Sequence, residues 1–144
     1  ALENRRAAPP IPRGRVEIPV DKKTVGIRAE VTGAGQPLQL VVDTGASYTT
    51  VPRSLAERLN VLSPEAKIVE VQTASGLVRA PIVRLPWLQI GSIRLDRVRA
   101  VVLDLPGTLT GKGLLGLNAL RRLKLQLDPG RGVLVLENRP GRNR

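Results

Sequence analysis

Between Arg15 and Leu136 the chain is a succession of short runs in which apolar and polar residues alternate. Gly and Pro break up the runs, and none reaches ordinary helical length. A period of two sends every second side chain to one face, which is what a half-buried strand requires. The runs fall at 16–20, 25–32, 38–42, 68–71, 77–85, 87–90, 93–95, 98–103, 123–127 and 133–136. Many short strands at close intervals, rich in β-branched residues and separated by turn residues, predict a mostly β domain of barrel or sandwich type.

Two stretches break the alternation and read as short helices. Residues 52–60 open on Pro52, close on Asn60 and carry Leu55 and Leu59 four apart. Residues 116–122 end on Arg121 and Arg122, where a helix dipole favours positive charge. Hairpin turns are expected at Thr32-Gly33-Ala34-Gly35, Ala74-Ser75-Gly76 and Asp128-Pro129-Gly130. The first 14 residues are rich in Pro, Arg and small side chains without apolar periodicity. They read as a linker or arm, leaving a domain over 15–138 and a basic tail over 139–144. A total of 144 residues suits one such domain.

The residue inventory narrows the chemistry. With no His and no Cys, the chain cannot hold a Ser-His-Asp triad, a Cys-His pair, a disulfide, or a zinc site built on those ligands. Carboxylates, hydroxyls, Lys and Arg remain, and neither a metal nor a cofactor is expected. The balance of 23 Lys and Arg against 12 Asp and Glu gives a formal charge of +11, which attracts anionic surfaces without specificity. Trp87 and Tyr48 are the only aromatic residues, and the basic residues are scattered, so a dedicated nucleic-acid site is not expected. No apolar run approaches the length that crosses a bilayer as a helix.

The most informative segment is Leu40-Val41-Val42-Asp43-Thr44-Gly45-Ala46-Ser47. An apolar strand running into a carboxylate is costly unless that carboxylate is hydrogen-bonded or used. Gly45 frees the backbone to aim an N–H at Asp43, and Thr44 supplies a hydroxyl. An ordinary turn after a strand explains the same three residues, and the segment alone does not choose between the two. Some seventy residues on, Leu114-Leu115-Gly116 leads into the second short helix. Between the two lies a hairpin with the small-residue tip Thr73-Ala74-Ser75-Gly76.

In this order the three elements resemble the retropepsin-like aspartic proteases, most closely their bacterial single-lobed members, over roughly residues 16–136. The resemblance implies a closed, barrel-like acid-protease fold with one or two short helices, and hydrolysis of peptide bonds in protein or peptide substrates. It implies Asp43 as the catalytic acid/base, Thr44 as a hydroxyl locking two active-site loops together, and Gly45 as an N–H donor to Asp43. Ala46 stands where pepsin-like enzymes carry a hydroxyl. Thr73, Ala74, Ser75 and Gly76 become a flap over the substrate, without a large apolar side chain at the tip, and Leu115 and Gly116 support the Asp43 loop. Such chemistry needs two carboxylates sharing one proton. Only one Asp-Thr-Gly is present, and Asp21, Asp96, Asp104 and Asp128 lack its setting. The second Asp43 must come from another copy across a two-fold axis, making a homodimer.

Two other readings compete: a catalytically inactive module of this fold used for dimerisation or peptide binding, and a basic β domain that binds a polyanion. By the same resemblance the chain is expected in the periplasm, free or held to the membrane by an N-terminal anchor, with the cytoplasm as the alternative.

Overall fold

Residues 14–20 and 27–139 are described by a computed structural model. The expected linker at 1–14 and tail at 139–144 lie almost wholly outside these residues. Ten strands, two short α-helices and one 3-10 turn follow in the order β1 (Arg15–Pro19), β2 (Ile27–Gly33), β3 (Gln36–Val42), β4 (Thr49–Val51), α1 (Arg53–Arg58), β5 (Ile68–Thr73), β6 (Gly76–Ile90), β7 (Ile93–Val102), the 3-10 turn (Gly107–Leu109), β8 (Gly113–Leu115), α2 (Leu117–Leu120), β9 (Leu123–Asp128) and β10 (Val133–Asn138). Among the described residues no helix is long and apolar enough to cross a membrane.

The predicted β class holds, in its closed form. Strands run β2-β3-β8-β4-β7-β6 with β5 at the edge, and β2 returns to β6 through Thr32 opposite Gln89 and Gly33 opposite Leu88, closing a six-stranded barrel. A three-stranded sheet, β1-β10-β9, packs Ile18, Leu134 and Leu136 into the same core as Leu40, Leu55, Leu85, Leu88, Ile93, Leu95 and Leu115.

Two pairs of runs that read as separate strands are single long ones. The runs at 77–85 and 87–90 join into the 15-residue β6, and those at 93–95 and 98–103 join into β7. What looked like a break at Pro86 is a corner. Leu85 and Val98 face the core before it, Leu88 and Leu95 after it, so both strands shift phase together. Arg97 takes a left-handed φ of 51° at this point. The Arg122 guanidinium clasps the corner, donating to the carbonyl of Asp96 at 2.5 Å and of Arg97 at 2.8 Å.

The turns follow the sequence closely. Ala34 and Gly35, with φ of 48° and 89°, make the two-residue link between β2 and β3, and a positive φ at both positions matches the right-handed strand twist. Both helices are shorter than their sequence signals. Pro52 is the N-cap of α1 rather than its first residue, and Asn60 lies beyond it at φ 54°. Trp87 is half-buried on the barrel wall, with the Arg94 guanidinium 4.5 Å from its ring centroid.

Candidate active site

Asp43 is the first residue past β3, and β8 holds it there. β8 is three residues long and lies between β3, with which it runs parallel, and β4, with which it runs antiparallel. The β3 ladder continues one residue beyond the strand, because the Asp43 N–H donates to the Leu115 carbonyl at 3.0 Å. The chain then reverses tightly. The Gly45 N–H donates to Asp43 Oδ1 at 2.9 Å, and the Ala46 N–H to the Asp43 carbonyl at 3.2 Å. A Cβ on Gly45 would stand 3.3 Å from that carboxylate oxygen, so glycine lets the amide approach without crowding.

Helix α2 fixes the far side of the loop. Gly116 caps it without a side chain, leaving its first N–H groups to find partners elsewhere. Leu117 N–H donates to the Ala46 carbonyl at 2.7 Å and Asn118 N–H to the Ser47 carbonyl at 3.1 Å. Gly116 itself lies flat on the chain between Tyr48 and Thr49, where a Cβ would be 2.3 Å from the Tyr48 carbonyl. Leu115 is fully buried below. The structure thus brings Asp43, Gly45, Ala46, Leu115 and Gly116 together. Asp43 is half-buried and Thr44 exposed, its hydroxyl unpartnered among the described residues.

Two residues of this cluster were not singled out in the sequence. Asn118 Oδ1 accepts from both the Thr49 N–H (2.8 Å) and the Thr49 hydroxyl (3.0 Å), and its Nδ2 donates to the Arg99 carbonyl at 2.7 Å. The Thr49 oxygen also accepts the Gly116 N–H at 3.2 Å. The available signal was an amide side chain in the otherwise apolar turn Leu117-Asn118-Ala119-Leu120.

Thr73, Ala74, Ser75 and Gly76 form the tip of the β5–β6 hairpin, with Thr73 paired to Gly76 across it. The Thr73 hydroxyl donates to the Gly76 carbonyl at 2.8 Å and accepts the Ser75 N–H at 3.2 Å. β5 pairs with nothing except β6. One face of the hairpin carries Val69, Val71, Val78 and Ala80, half-buried or buried, while Ile68, Glu70, Gln72, Leu77 and Arg79 are exposed on the other. Leu77, at 66% exposure, is a large apolar side chain next to the tip.

Strand register defines what shares a face with the Asp43 carboxylate. Leu38, Leu40 and Val42 point to the core, so Val41 and Asp43 point away from it. Following the pairings across the barrel, Val41 lies beside Leu114, then Thr50, Val101 and Ile82. Val41, Thr50 and Val101 are buried yet lie outside the main core cluster, which places a second, mostly apolar row beneath the site.

A closed barrel with the Asp43 loop held between β8 and a short helix is the arrangement of the retropepsin-like acid-protease class. A solved retropepsin-like aspartic protease from Rickettsia conorii shares this fold, with a TM-score of 0.67 over 87% of this chain and 91% of that chain at 24% identity. Residues 27–119 match the family model described as aspartyl protease. The chain belongs to the aspartyl protease family. No curated protein matches it.

Proposed function

We propose that the chain is an aspartic endopeptidase that works as a homodimer, one Asp43 from each subunit sharing a proton. The observation that carries this reading is the mounting of Asp43: a half-exposed carboxylate with one oxygen held by the Gly45 N–H at 2.9 Å, in a loop pinned by Leu115 and α2. A carboxylate built so rigidly and left open to solvent suits acid/base work on a water molecule. The ionised Asp43 takes a proton from water as it attacks the amide carbon. The protonated Asp43 of the other subunit hydrogen-bonds the amide oxygen, and a proton then passes to the leaving nitrogen.

The exposed Thr44 supports the dimer, since its hydroxyl is free to bond across a two-fold axis. Thr73, Ala74, Ser75 and Gly76 act as the flap tip, pairing with an extended peptide as an added strand. The row Val41, Leu114, Thr50, Val101 favours apolar side chains next to the cut bond. A periplasmic setting, free or anchored, remains part of the proposal.

The test is cleavage of an unstructured protein substrate by wild type and by Asp43→Asn, with sedimentation run at the same concentrations. Asp43-dependent cleavage that rises with the dimer fraction is expected. Equal behaviour of the two proteins favours the inactive module, and cleavage by a strict monomer removes the shared-proton mechanism.

A further inference from the structure

Helix α2 holds the Asp43 loop from its own N-terminal end, where the Leu117 and Asn118 N–H groups reach the Ala46 and Ser47 carbonyls. It spans only four residues, Leu117–Leu120. One turn has almost no stability of its own, because ordering it costs more than its few hydrogen bonds return. Its pose is set by what grips it from outside. Ala119 and Leu120 are buried, and Asn118 ties the start of the helix to Thr49 and to the Arg99 carbonyl.

The far end is held by Arg122. β4 pairs with β7 only from Thr49 opposite Ala100 to Val51 opposite Val102. Upstream of Ala100 that edge of β7 has no neighbouring strand among the described residues, and its carbonyls need other donors. Asn118 Nδ2 donates to the Arg99 carbonyl, and the Arg122 guanidinium donates to those of Arg97 and Asp96. Successive carbonyls of a strand point to opposite edges. The left-handed φ of 51° at Arg97 turns these two the same way. A planar fork with separate nitrogens suits such a pair better than a single ammonium. The Arg122 N–H donates to the Ala119 carbonyl at 3.0 Å, which fastens the same residue to α2.

We infer that Arg122 is a positioning residue for the Asp43 centre. By pinning the end of α2 to the corner of the β6–β7 hairpin, it keeps the helix from pivoting on Asn118 and so keeps the Asp43 loop in place. The path is continuous: the corner carbonyls, Arg122, α2, the Ala46 carbonyl, and the Ala46 N–H on the Asp43 carbonyl. Its catalytic consequence rests on the proteolytic reading above. Misplacing a reacting group by about 1 Å can cost roughly a hundredfold in rate, so a small pivot is enough.

Arg122→Ala, Arg122→Lys and a control, Ile18→Val, are compared with the wild-type full chain at a temperature where all are folded. Ile18 is a core residue of β1, in the other sheet, so losing a methylene there lowers stability without altering the Arg122 grip. Cleavage of an unstructured peptide gives kcat and KM, and amide hydrogen exchange reads Ala46, Leu117 and Asn118. Arg122→Ala is expected to lower kcat about tenfold or more while KM moves less than about twofold. Exchange at those amides speeds up about tenfold relative to the amides of β10. Arg122→Lys recovers part of both losses, and Ile18→Val changes neither kcat nor the exchange ratio.

Unchanged kcat in Arg122→Ala overturns the inference while proteolysis stands. So does a fall in kcat that Ile18→Val reproduces, or one with no matching change in exchange. If the wild type cleaves nothing, the protease reading fails alone. The exchange ratio then decides whether Arg122 positions the loop: a rise in Arg122→Ala upholds it, and an unchanged ratio overturns it.

Discussion

Thr49 and Asn118 share a two-point contact, the carboxamide oxygen of Asn118 taking both the backbone N–H and the hydroxyl of Thr49 at 2.8 and 3.0 Å. With the amide nitrogen on the Arg99 carbonyl, this one side chain links β4, α2 and β7 behind the Asp43 loop. Thr49 is fully buried, so its polar atoms have no water to fall back on.

Replacing Asn118 by Ala takes away the acceptor of the Thr49 N–H and hydroxyl proton and the donor to the Arg99 carbonyl, leaving the hydroxyl oxygen only the Gly116 N–H. A loss of about 1–3 kcal/mol is expected. Denaturant unfolding measures it, and a larger proportional fall in proteolytic rate than in folded fraction would show that the loop has shifted too. Thr49→Val, which removes only the hydroxyl, is expected to cost less.

Gly116→Ala is expected to be the more damaging change. The new Cβ would stand 2.3 Å from both the Tyr48 carbonyl carbon and its oxygen, and 2.6 Å from the Thr49 nitrogen, all of it backbone that cannot swing aside. A loss of roughly 3 kcal/mol or more follows from displacing the loop. A thermal midpoint within a degree or two of wild type would contradict this.

Ala34 offers the opposite sign. At φ 48° it holds a left-handed conformation that its Cβ disfavours, next to Gly35 in a two-residue hairpin turn. Ala34→Asn or Ala34→Gly suits that conformation better, and a gain of about 0.5–1 kcal/mol is expected, a few degrees in Tm. The site is remote from Asp43 along the strand, so cleavage kinetics should not change.

Glu17 supplies a pH dependence. The Arg131 side chain, hydrogen-bonded to both its oxygens, holds its carboxyl below the ordinary glutamate value, with Arg15 adding a weaker pull at 3.3 Å. A lowered folded-state value means the contribution is complete above the ordinary range, about pH 4.3, and disappears as pH falls through the lowered value. Glu17→Gln should flatten the acid limb of a Tm–pH curve, and the difference from wild type should shrink at high salt because the groups are exposed. Parallel curves for the two proteins would refute it.

Alternation made the strands legible because a half-buried sheet imposes it residue by residue, and the Asp-Thr-Gly loop was legible because a carboxylate ending an apolar strand needs a nearby donor, which the Gly45 N–H supplies. β4 and β8 escaped for a plain reason. At three residues each, Thr49–Val51 and Gly113–Leu115 are too short to show a period, and Thr49 and Thr50 are buried polar residues that do not read as core. The breaks read at Pro86 and between Leu95 and Val98 were misplaced because a strand can turn a corner without ending when its neighbour turns with it. The amide of Asn118 is non-local: its partners at Thr49 and Arg99 lie 69 and 19 positions away, and no local pattern records them.

The position of β8 has a consequence for how the molecule comes into being. Residues that arrive late in synthesis are inserted between two that emerged long before, as Leu114 sits between Val41 and Thr50. Long-range closures of this kind are slow and come late. Until the ribosome has released the stretch beyond Gly116, the Asp43 amide lacks its Leu115 acceptor and the loop lacks its clamp. A half-made copy therefore has no organised Asp43 loop.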